Sequence, residues 1–342
     1  MAFSDPDLTA TASGRAHAAG RIDALDVARG VALGAMALYH AAWDLGYLRL
    51  TPENYALSPL GKGAAHGIAG SFLALVGVGL VLVHGAGIRR RAVVARFARI
   101  GGAALAVTAA TYALFPDSYV FFGILHCIAV SSVLALPFLF VPVALVAVCA
   151  ALIIAAPPLL MAAPVPVGGG LLDAPALFFL GLGRTVPQTN DYVPLFPWFG
   201  LVLIGIVAGR LGLPRLTASD IGRWRATSRP GRTVATAGRH SLAVYLIHQP
   251  VLLAVFSGIA ALTGPHPRAG EAEFRALYAR NCVGTGGETA ACRVAARCVV
   301  GAFRRDGLWA QSQRVFTVTE RAHAQALSQG CYEAAEGTAP AP

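Results

Sequence analysis

The chain has 342 residues, of which 56% are hydrophobic and only 13% are charged. A soluble domain carries roughly 25% charged residues, so this composition excludes an ordinary soluble protein and predicts a polytopic membrane protein with modest soluble parts. The net charge of +10 does not indicate nucleic-acid binding, because the arginines fall mainly in loops between apolar stretches. Membrane lipids are therefore expected partners, and nucleic acid is not.

The N-terminal residues 1–20 are small and polar, which predicts a disordered cytoplasmic segment. The first apolar stretch follows directly and is expected to direct membrane insertion itself. Residues 21–263 are predicted to form a transmembrane domain, and 264–342 a soluble helical tail.

The first predicted span carries four ionisable residues, Asp26, Arg29, His40 and Asp44. Arg29 and His40 are separated by about three helical turns, or roughly 16 Å, on nearly the same face. Asp26 and Asp44 extend this stripe by one turn at each end. Ionisable groups inside a span are costly and usually mark a functional site, although Asp26 and Arg29 would also suit a membrane interface.

The apolar stretches predict an all-α bundle of about seven crossings, each needing about 20 residues. A shorter stretch at 174–183 is predicted to be a half-helix or interfacial segment. The predicted crossings are 24–45, 65–86, 100–115, 119–136, 143–160, 196–211 and 240–262.

Basic loops follow the second predicted span and precede the last one, whereas the alternate loops are not basic. The positive-inside rule then predicts a cytoplasmic N-terminus. Seven crossings would place the tail on the outer side, which in a bacterial inner membrane is the periplasm.

The cysteines provide an independent indication of this orientation. Two of the six lie within predicted spans, at Cys127 and Cys149. An even set in a short soluble segment predicts two disulfides in an oxidising compartment, and the pairing is open. A metal site is not predicted, since the tail has no C-x-x-C pair. The four tail cysteines are Cys282, Cys292, Cys298 and Cys331.

Histidines cluster in the central-to-outer layer of the predicted bundle, and histidine is the usual general base near neutral pH. Tyr245 and His248 share one face of the last span with Ser241, which is expected to pack or cap. Trp198 suits an interface anchor or a substrate contact. The histidines of this layer are His40, His66, His126 and His248.

Four stretches carry a resemblance to a known family: RIDALDVARGVALGAMALYHAAWDLGYL, FFGILHCIAVSSVLAL, DYVPLFPWFGLVLIGIVAG and GRHSLAVYLIHQPVLL. Over residues 21–262 the chain resembles the catalytic domain of heparan-alpha-glucosaminide N-acetyltransferases, in its bacterial form. The spacing of Arg29 and His40 also resembles a signature of multi-spanning membrane acyltransferases. The tail lies outside the resemblance.

The resemblance implies acetyl transfer from cytosolic acetyl-CoA to a sugar amine across the membrane. His66 matches the position of the proposed catalytic histidine in the family's lysosomal members, which carry asparagine where this chain has His40. The resulting hypothesis makes His66 or His40 the base or the acyl carrier, with Asp44 orienting His40. Arg29 and Asp26 are expected to bind acetyl-CoA at the cytoplasmic end of the span. His126, Trp198, Tyr245 and His248 would line the cavity.

Two alternatives remain open on sequence grounds. The same intramembrane His, Asp and Arg would suit a proton-coupled transporter or flippase, although no inverted repeat is evident. A structural protein built around the Cys-containing tail is the other alternative. The sequence does not specify the acceptor, which would be a glycan or a lipid-linked sugar that offers an amine or a hydroxyl. It also does not specify whether the protein forms a homo-oligomer.

Overall fold

The structure, a computed structural model, describes residues 22–165, 167–309 and 316–337. The predicted disordered segment 1–20 lies outside the described residues. Within the described part of the chain no β-strand occurs, and one isolated parallel bridge joins Phe122 and Tyr192. The predicted all-α architecture is therefore confirmed.

Twelve α-helices account for most of the described residues, joined by short 3₁₀ turns. They are α1 (Asp23–Tyr47), α2 (Pro59–His84), α3 (Arg90–Leu114), α4 (Ile124–Leu134), α5 (Val143–Ala162), α6 (Leu195–Ala218), α7 (Asp220–Arg223), α8 (Arg229–Arg239), α9 (Ser241–Thr263), α10 (Glu271–Gly284), α11 (Thr289–Arg305) and α12 (Val318–Glu336).

Five of these helices, α2, α3, α5, α6 and α9, are long and apolar enough to cross a membrane. The other two predicted crossings correspond to α1, whose 25 residues include several charged side chains, and α4, which has only 11 residues. The predicted half-helix at 174–183 contains a 3₁₀ helix, Pro175–Leu180. The second basic loop is not irregular, because it folds into α7 and α8.

The chain divides into two compact units. The first comprises the chain up to Ala37 together with Gly63–Gln249, and the second comprises Leu38–Lys62 together with Pro250–Pro342. The core of the first unit is formed by apolar side chains from α2, α4, α5 and α6, among them Leu73, Cys127, Val146 and Ile206.

Helices α2 and α6 approach closely through two glycines. A Cβ on Gly77 would collide with the backbone carbonyl of Val202, and one on Gly205 with that of Ala74. Small residues at such a crossing let two backbones pack closely, which is how membrane helices commonly associate. The two glycines thereby fix the relative position of the helices that carry the candidate site.

In the second unit the tail folds as three helices, α10, α11 and α12, around a core that includes Val299, Phe303 and Trp309. Disulfides join Cys282 to Cys292 and Cys298 to Cys331, with Cα atoms 5.8 and 5.7 Å apart. The prediction of two tail disulfides is confirmed, and the structure settles the pairing that the sequence left open.

Candidate active site

The imidazole of His66 lies against the indole of Trp198. His66 is in the second turn of α2, and Trp198 is in the first turns of α6, where only 9% of its surface is exposed. The two ring centroids are 5.5 Å apart and the planes differ by 7°. Because Trp198 is fixed in the core of the first unit, it supports one face of the imidazole. The structure thus brings together a predicted base and a predicted cavity residue.

Two non-helical segments meet near the start of α4. The backbone N–H of Asn190 donates to Ser118 O, and that of Val193 donates to Phe122 O, at 2.9 and 3.2 Å. The Thr189 hydroxyl adds a hydrogen bond to Tyr119 O. Irregular backbone is tolerated at membrane depth only where its polar groups are satisfied within protein or at a cavity. In this pairing the two segments satisfy polar groups of each other's backbone.

Asp191 supplies an acceptor to the first turn of α4. Its Oδ2 accepts a hydrogen bond from the N–H of Ile124 at 2.9 Å, where the positive end of the helix dipole favours a carboxylate. Desolvation nevertheless raises the pKa of the Asp191 carboxyl, and the bond from Ile124 opposes that rise. Gly123 is required beside it, because a Cβ there would collide with the Asp191 carboxylate.

His126 has both ring nitrogens engaged. The N–H of Gly123 donates to Nδ1 at 3.3 Å, so the ring proton of neutral His126 is on Nε2. That nitrogen lies 3.1 Å from the Thr108 hydroxyl, which itself donates to Val120 O at 2.7 Å. His126 therefore holds the turn before α4 in place, and this geometry favours a structural contribution over a base.

His248 has the opposite tautomer. Its Nδ1 lies 2.7 Å from the carbonyl of Tyr245, and since a carbonyl only accepts, Nδ1 carries the proton. In neutral His248 the lone pair is then on Nε2. The rings of Tyr245 and His248 are 5.7 Å apart on α9, and Tyr245 also packs on the core of the first unit.

The acids at the start of α1 bind the second basic loop. Arg239 Nε lies 3.4 Å from Asp26 Oδ2, and Asp23 accepts from the N–H of Ala226 at 3.2 Å. Asp26 also pairs with Arg29 at 3.2 Å. Both acids are buried, so these contacts offset the cost of desolvating them. The structure gives Asp26 a clear role in joining α1 to α8.

Helix α8 lies directly on α1 at this point. A Cβ on Gly30 would collide with the Val234 carbonyl, and one on Gly238 with that of Asp26. The close approach places Arg239 beside the two acids and keeps the basic loop against the N-terminal end of α1.

Besides its ion pair with Asp26, Arg29 lies against α2: its Nη2 is 3.4 Å from the position that a Cβ would occupy on Gly79. The charge of Arg96 on α3 interacts with that of Arg29, and Arg96 Nε lies 3.4 Å from the Ser132 hydroxyl. Arginines on two helices therefore interact electrostatically with each other.

His40 and Asp44 belong to the second unit. They are one helical turn apart on α1, and Asp44 is completely buried whereas His40 is half-buried. The His40 ring contacts Tyr39 edge-on, with centroids 5.7 Å apart. The predicted pairing of His40 with His66 at a common site stays a prediction.

Three residues of this region have roles that the sequence does not reveal. It indicates no function for Thr108, only an interfacial position for Asp191, and only a place in a basic loop for Arg239. The feature that could have predicted a contact of Arg239 is the pair of acids at the start of the first span. Carboxylates that become buried need a positively charged partner. Among the described residues no group of three or more His, Cys, Asp or Glu side chains is arranged to hold a metal ion.

The long apolar helices and the core of packed membrane helices define a multi-pass membrane protein with a histidine at its candidate site. Residues 21–250 match the family "Heparan-alpha-glucosaminide N-acetyltransferase, catalytic". Since the match covers about two thirds of the chain, the protein belongs to this family of membrane acetyltransferases. No curated protein and no solved structure matches the chain.

Proposed function

We propose that the protein transfers an acetyl group from cytosolic acetyl-CoA to a sugar amine or hydroxyl on the outer side of a bacterial inner membrane. The observation that carries this proposal is the stacked pair of His66 and Trp198 inside the part of the chain that matches the acetyltransferase family.

His66 has the chemistry that the transfer needs. The acceptor nitrogen or oxygen attacks the thioester carbonyl, and an imidazole takes the proton that the acceptor loses. The C–S bond breaks, and the CoA thiolate leaves and takes up a proton. In the two-step variant the imidazole attacks first and carries the acetyl group to the acceptor. Trp198 limits the rotation of the ring in either case. His40, with Asp44 one turn away, remains the second candidate for the base.

The arginines near the inner end of α1 suit the polyanionic end of CoA. The charges of Arg29 and Arg96 interact, and only Asp26 is paired with Arg29 among the acids described. A phosphate that joined them would relieve the repulsion between two guanidinium groups and gain charge-assisted hydrogen bonds. In this proposal Asp26 holds Arg29 in place and does not itself contact the co-substrate.

In the proposed orientation the N-terminus is cytoplasmic and the tail is periplasmic. This orientation is supported by the arginine-rich loops and by the two tail disulfides, which persist in an oxidising compartment. Seven crossings require α4 to cross with its flanks. Its 11 residues span about 16 Å as a helix, which is about half of the hydrocarbon thickness, so the non-helical residues on either side must complete this crossing.

The test compares His66→Ala with His40→Ala in purified protein that is given acetyl-CoA and glucosamine. Free CoA is measured with a thiol reagent, and the acetylated sugar by mass spectrometry. We expect the variant that loses the base to slow transfer by about 10²-fold or more. His323→Ala, at an exposed tail histidine, is the matched control and keeps the wild-type rate. Wild-type rates in both test variants would refute the proposed role.

A second experiment separates transfer from transport and tests the orientation. A transporter would move a solute without releasing CoA from acetyl-CoA, whereas the enzyme releases it in step with acetylated product. Alkaline phosphatase fused after Gly337 is active only in the periplasm, and a cytoplasmic fluorescent reporter fused there gives the converse result. An inactive phosphatase with a fluorescent reporter would contradict the proposed orientation.

A further inference from the structure

The tail contains a concave groove of about 530 Å³ that lies outside the family match. It lies between the end of α10, the glycine-containing turn that follows, and α12. A volume of this size is in the range of small-molecule sites. The residues that define its chemistry are Tyr278, Asn281, Ser328, Gln329 and Tyr332.

Two tyrosines form fixed walls of the groove. The hydroxyl of Tyr278 donates to Ser328 O at 3.3 Å. The rings of Tyr278 and Tyr332 both pack on a buried cluster of alanines that includes Ala295. Because part of each ring is held by this packing, the remaining ring surface is presented in a fixed orientation.

The floor of the groove is held by a covalent bond. Gly287 lies directly on the Cys282–Cys292 disulfide, since a Cβ there would meet both sulfur atoms at 2.8 and 2.6 Å. Gly286 precedes it with φ of +97°, a conformation that favours glycine. The turn is therefore shaped by the disulfide and does not need a ligand to define it.

Amide groups at the rim are placed to bind a polar ligand. The side chain of Asn281 is exposed and makes no hydrogen bond to any residue that the structure describes. Gln329 donates from Nε2 to Glu333 at 2.9 Å, which leaves its Oε1 as an acceptor. Among the residues that line the groove, all of which are described, none carries a charged side chain. A lining of this kind favours a neutral ligand over a phosphate or an amine.

We infer that this groove binds a neutral sugar unit, with the apolar face of the ring against Tyr278 or Tyr332 and its hydroxyls on Asn281 and Gln329. Sugars combine an apolar face with many donors and acceptors, which matches aromatic walls with an amide rim. The inference does not depend on acetyl transfer, because the groove is formed entirely by the tail.

The test uses the full-length protein in lipid nanodiscs, since many detergents carry sugar headgroups. Glucose, galactose, N-acetylglucosamine, cellobiose and lactose are titrated by saturation-transfer-difference NMR. We expect at least one to bind saturably, and Asn281→Ala and Gln329→Ala each to weaken it by about tenfold. Both side chains are exposed, so the variants are expected to fold, which circular dichroism checks.

Gln325→Ala is the matched control, because Gln325 is an exposed glutamine one turn earlier on α12 and does not line the groove. It is expected to bind sugar like the wild type. His66→Ala is expected to leave this affinity unchanged, so failure of the proposed catalytic role would not affect the result. The inference is overturned if none of the sugars binds, if only a peptide occupies the groove, or if binding is insensitive to Asn281 and Gln329.

Discussion

The ring planes of His66 and Trp198 are nearly parallel, with a 7° difference and 5.5 Å between centroids. The two residues come from different helices, and α2 and α6 are held together by the close approach of Gly77 and Gly205. The orientation of the imidazole is therefore set by helix packing as well as by its own rotamer. Replacing the indole should therefore change how the His66 ring is held.

Trp198→Leu is expected to lower the rate of acetyl transfer by about tenfold, because an aromatic pair contributes ~0.5–1.5 kcal/mol beyond its buried area. Trp198→Phe keeps an aromatic face and is expected to retain most of the rate. Initial rates are measured at saturating acetyl-CoA, over a range of pH. Equal rates in the leucine and phenylalanine variants would show that stacking does not contribute.

Arg239→Leu is expected to destabilise the first unit by about 1–3 kcal/mol, since it removes a charged partner from two buried acids. Arg223 provides the matched control, because it pairs with Asp220 at 2.8 Å but both side chains are exposed. Arg223→Leu should cost less than about 1 kcal/mol. Thermal unfolding in detergent compares the two variants, and equal losses would contradict a specific role for the α1–α8 contact.

Asp191→Asn is expected to change the pH dependence of stability. The pKa of Asp191 in the folded protein is above the ordinary value of 3.8, so the folded state binds the proton more tightly than the unfolded state does. Stability therefore falls as the pH rises from 3.8 through the folded pKa. In Asp191→Asn the amide oxygen can still accept the hydrogen bond from the Ile124 N–H. Because the amide does not titrate, the fall in stability with rising pH is expected to disappear.

Asp173→Asn is the control of opposite sign. The hydrogen bond from the N–H of Thr185 lowers the pKa of Asp173. The contribution of Asp173 to stability is therefore present above pH 3.8 and is lost as the pH falls through the folded pKa. Thermal unfolding is measured from strongly acidic pH, below 3.8, up to neutral pH for both variants. An unchanged pH slope in Asp191→Asn would contradict the proposed desolvation of this carboxyl.

Removal of the tail disulfides is expected to have unequal effects. The bonds close loops with sequence separations of 10 and 33, which correspond to about 2.7 and about 3.7 kcal/mol in the chain-entropy description. Paired Cys298→Ser and Cys331→Ser changes should therefore increase proteolysis of the tail more than the Cys282→Ser and Cys292→Ser pair does. Acetyl transfer by folded protein should survive both if the transmembrane part acts alone.

Much of the helical architecture could be predicted because apolar stretches in a membrane protein have few alternatives to helices. The limits of α5 and α9 lie close to the predicted spans 143–160 and 240–262. The start of α3 differed by ten residues, because the arginines from Arg90 onward continue the helix beyond its apolar part. Hydropathy marks the apolar part of a helix and not its end.

The site residues were less predictable, because their roles depend on partners distant in the chain. His126 and His248 are both histidines in apolar helices, yet hydrogen bonds assign the ring proton to Nε2 in one and Nδ1 in the other. The local sequence around Trp198 is the same whether this residue anchors the helix at the membrane interface or supports His66. Only the packing of α2 against α6 distinguishes the two interpretations.

The pairing of the segment before α4 with the one before α6 has a consequence for biosynthesis. The N–H of Ile124 and the carbonyl of Phe122 find their partners in Asp191 and Val193, which are made about seventy residues later. Until that second segment emerges from the ribosome, these groups need water or a chaperone as a substitute. The stacked pair of His66 and Trp198 is likewise completed late in translation, when α6 is made and brings Trp198 to His66.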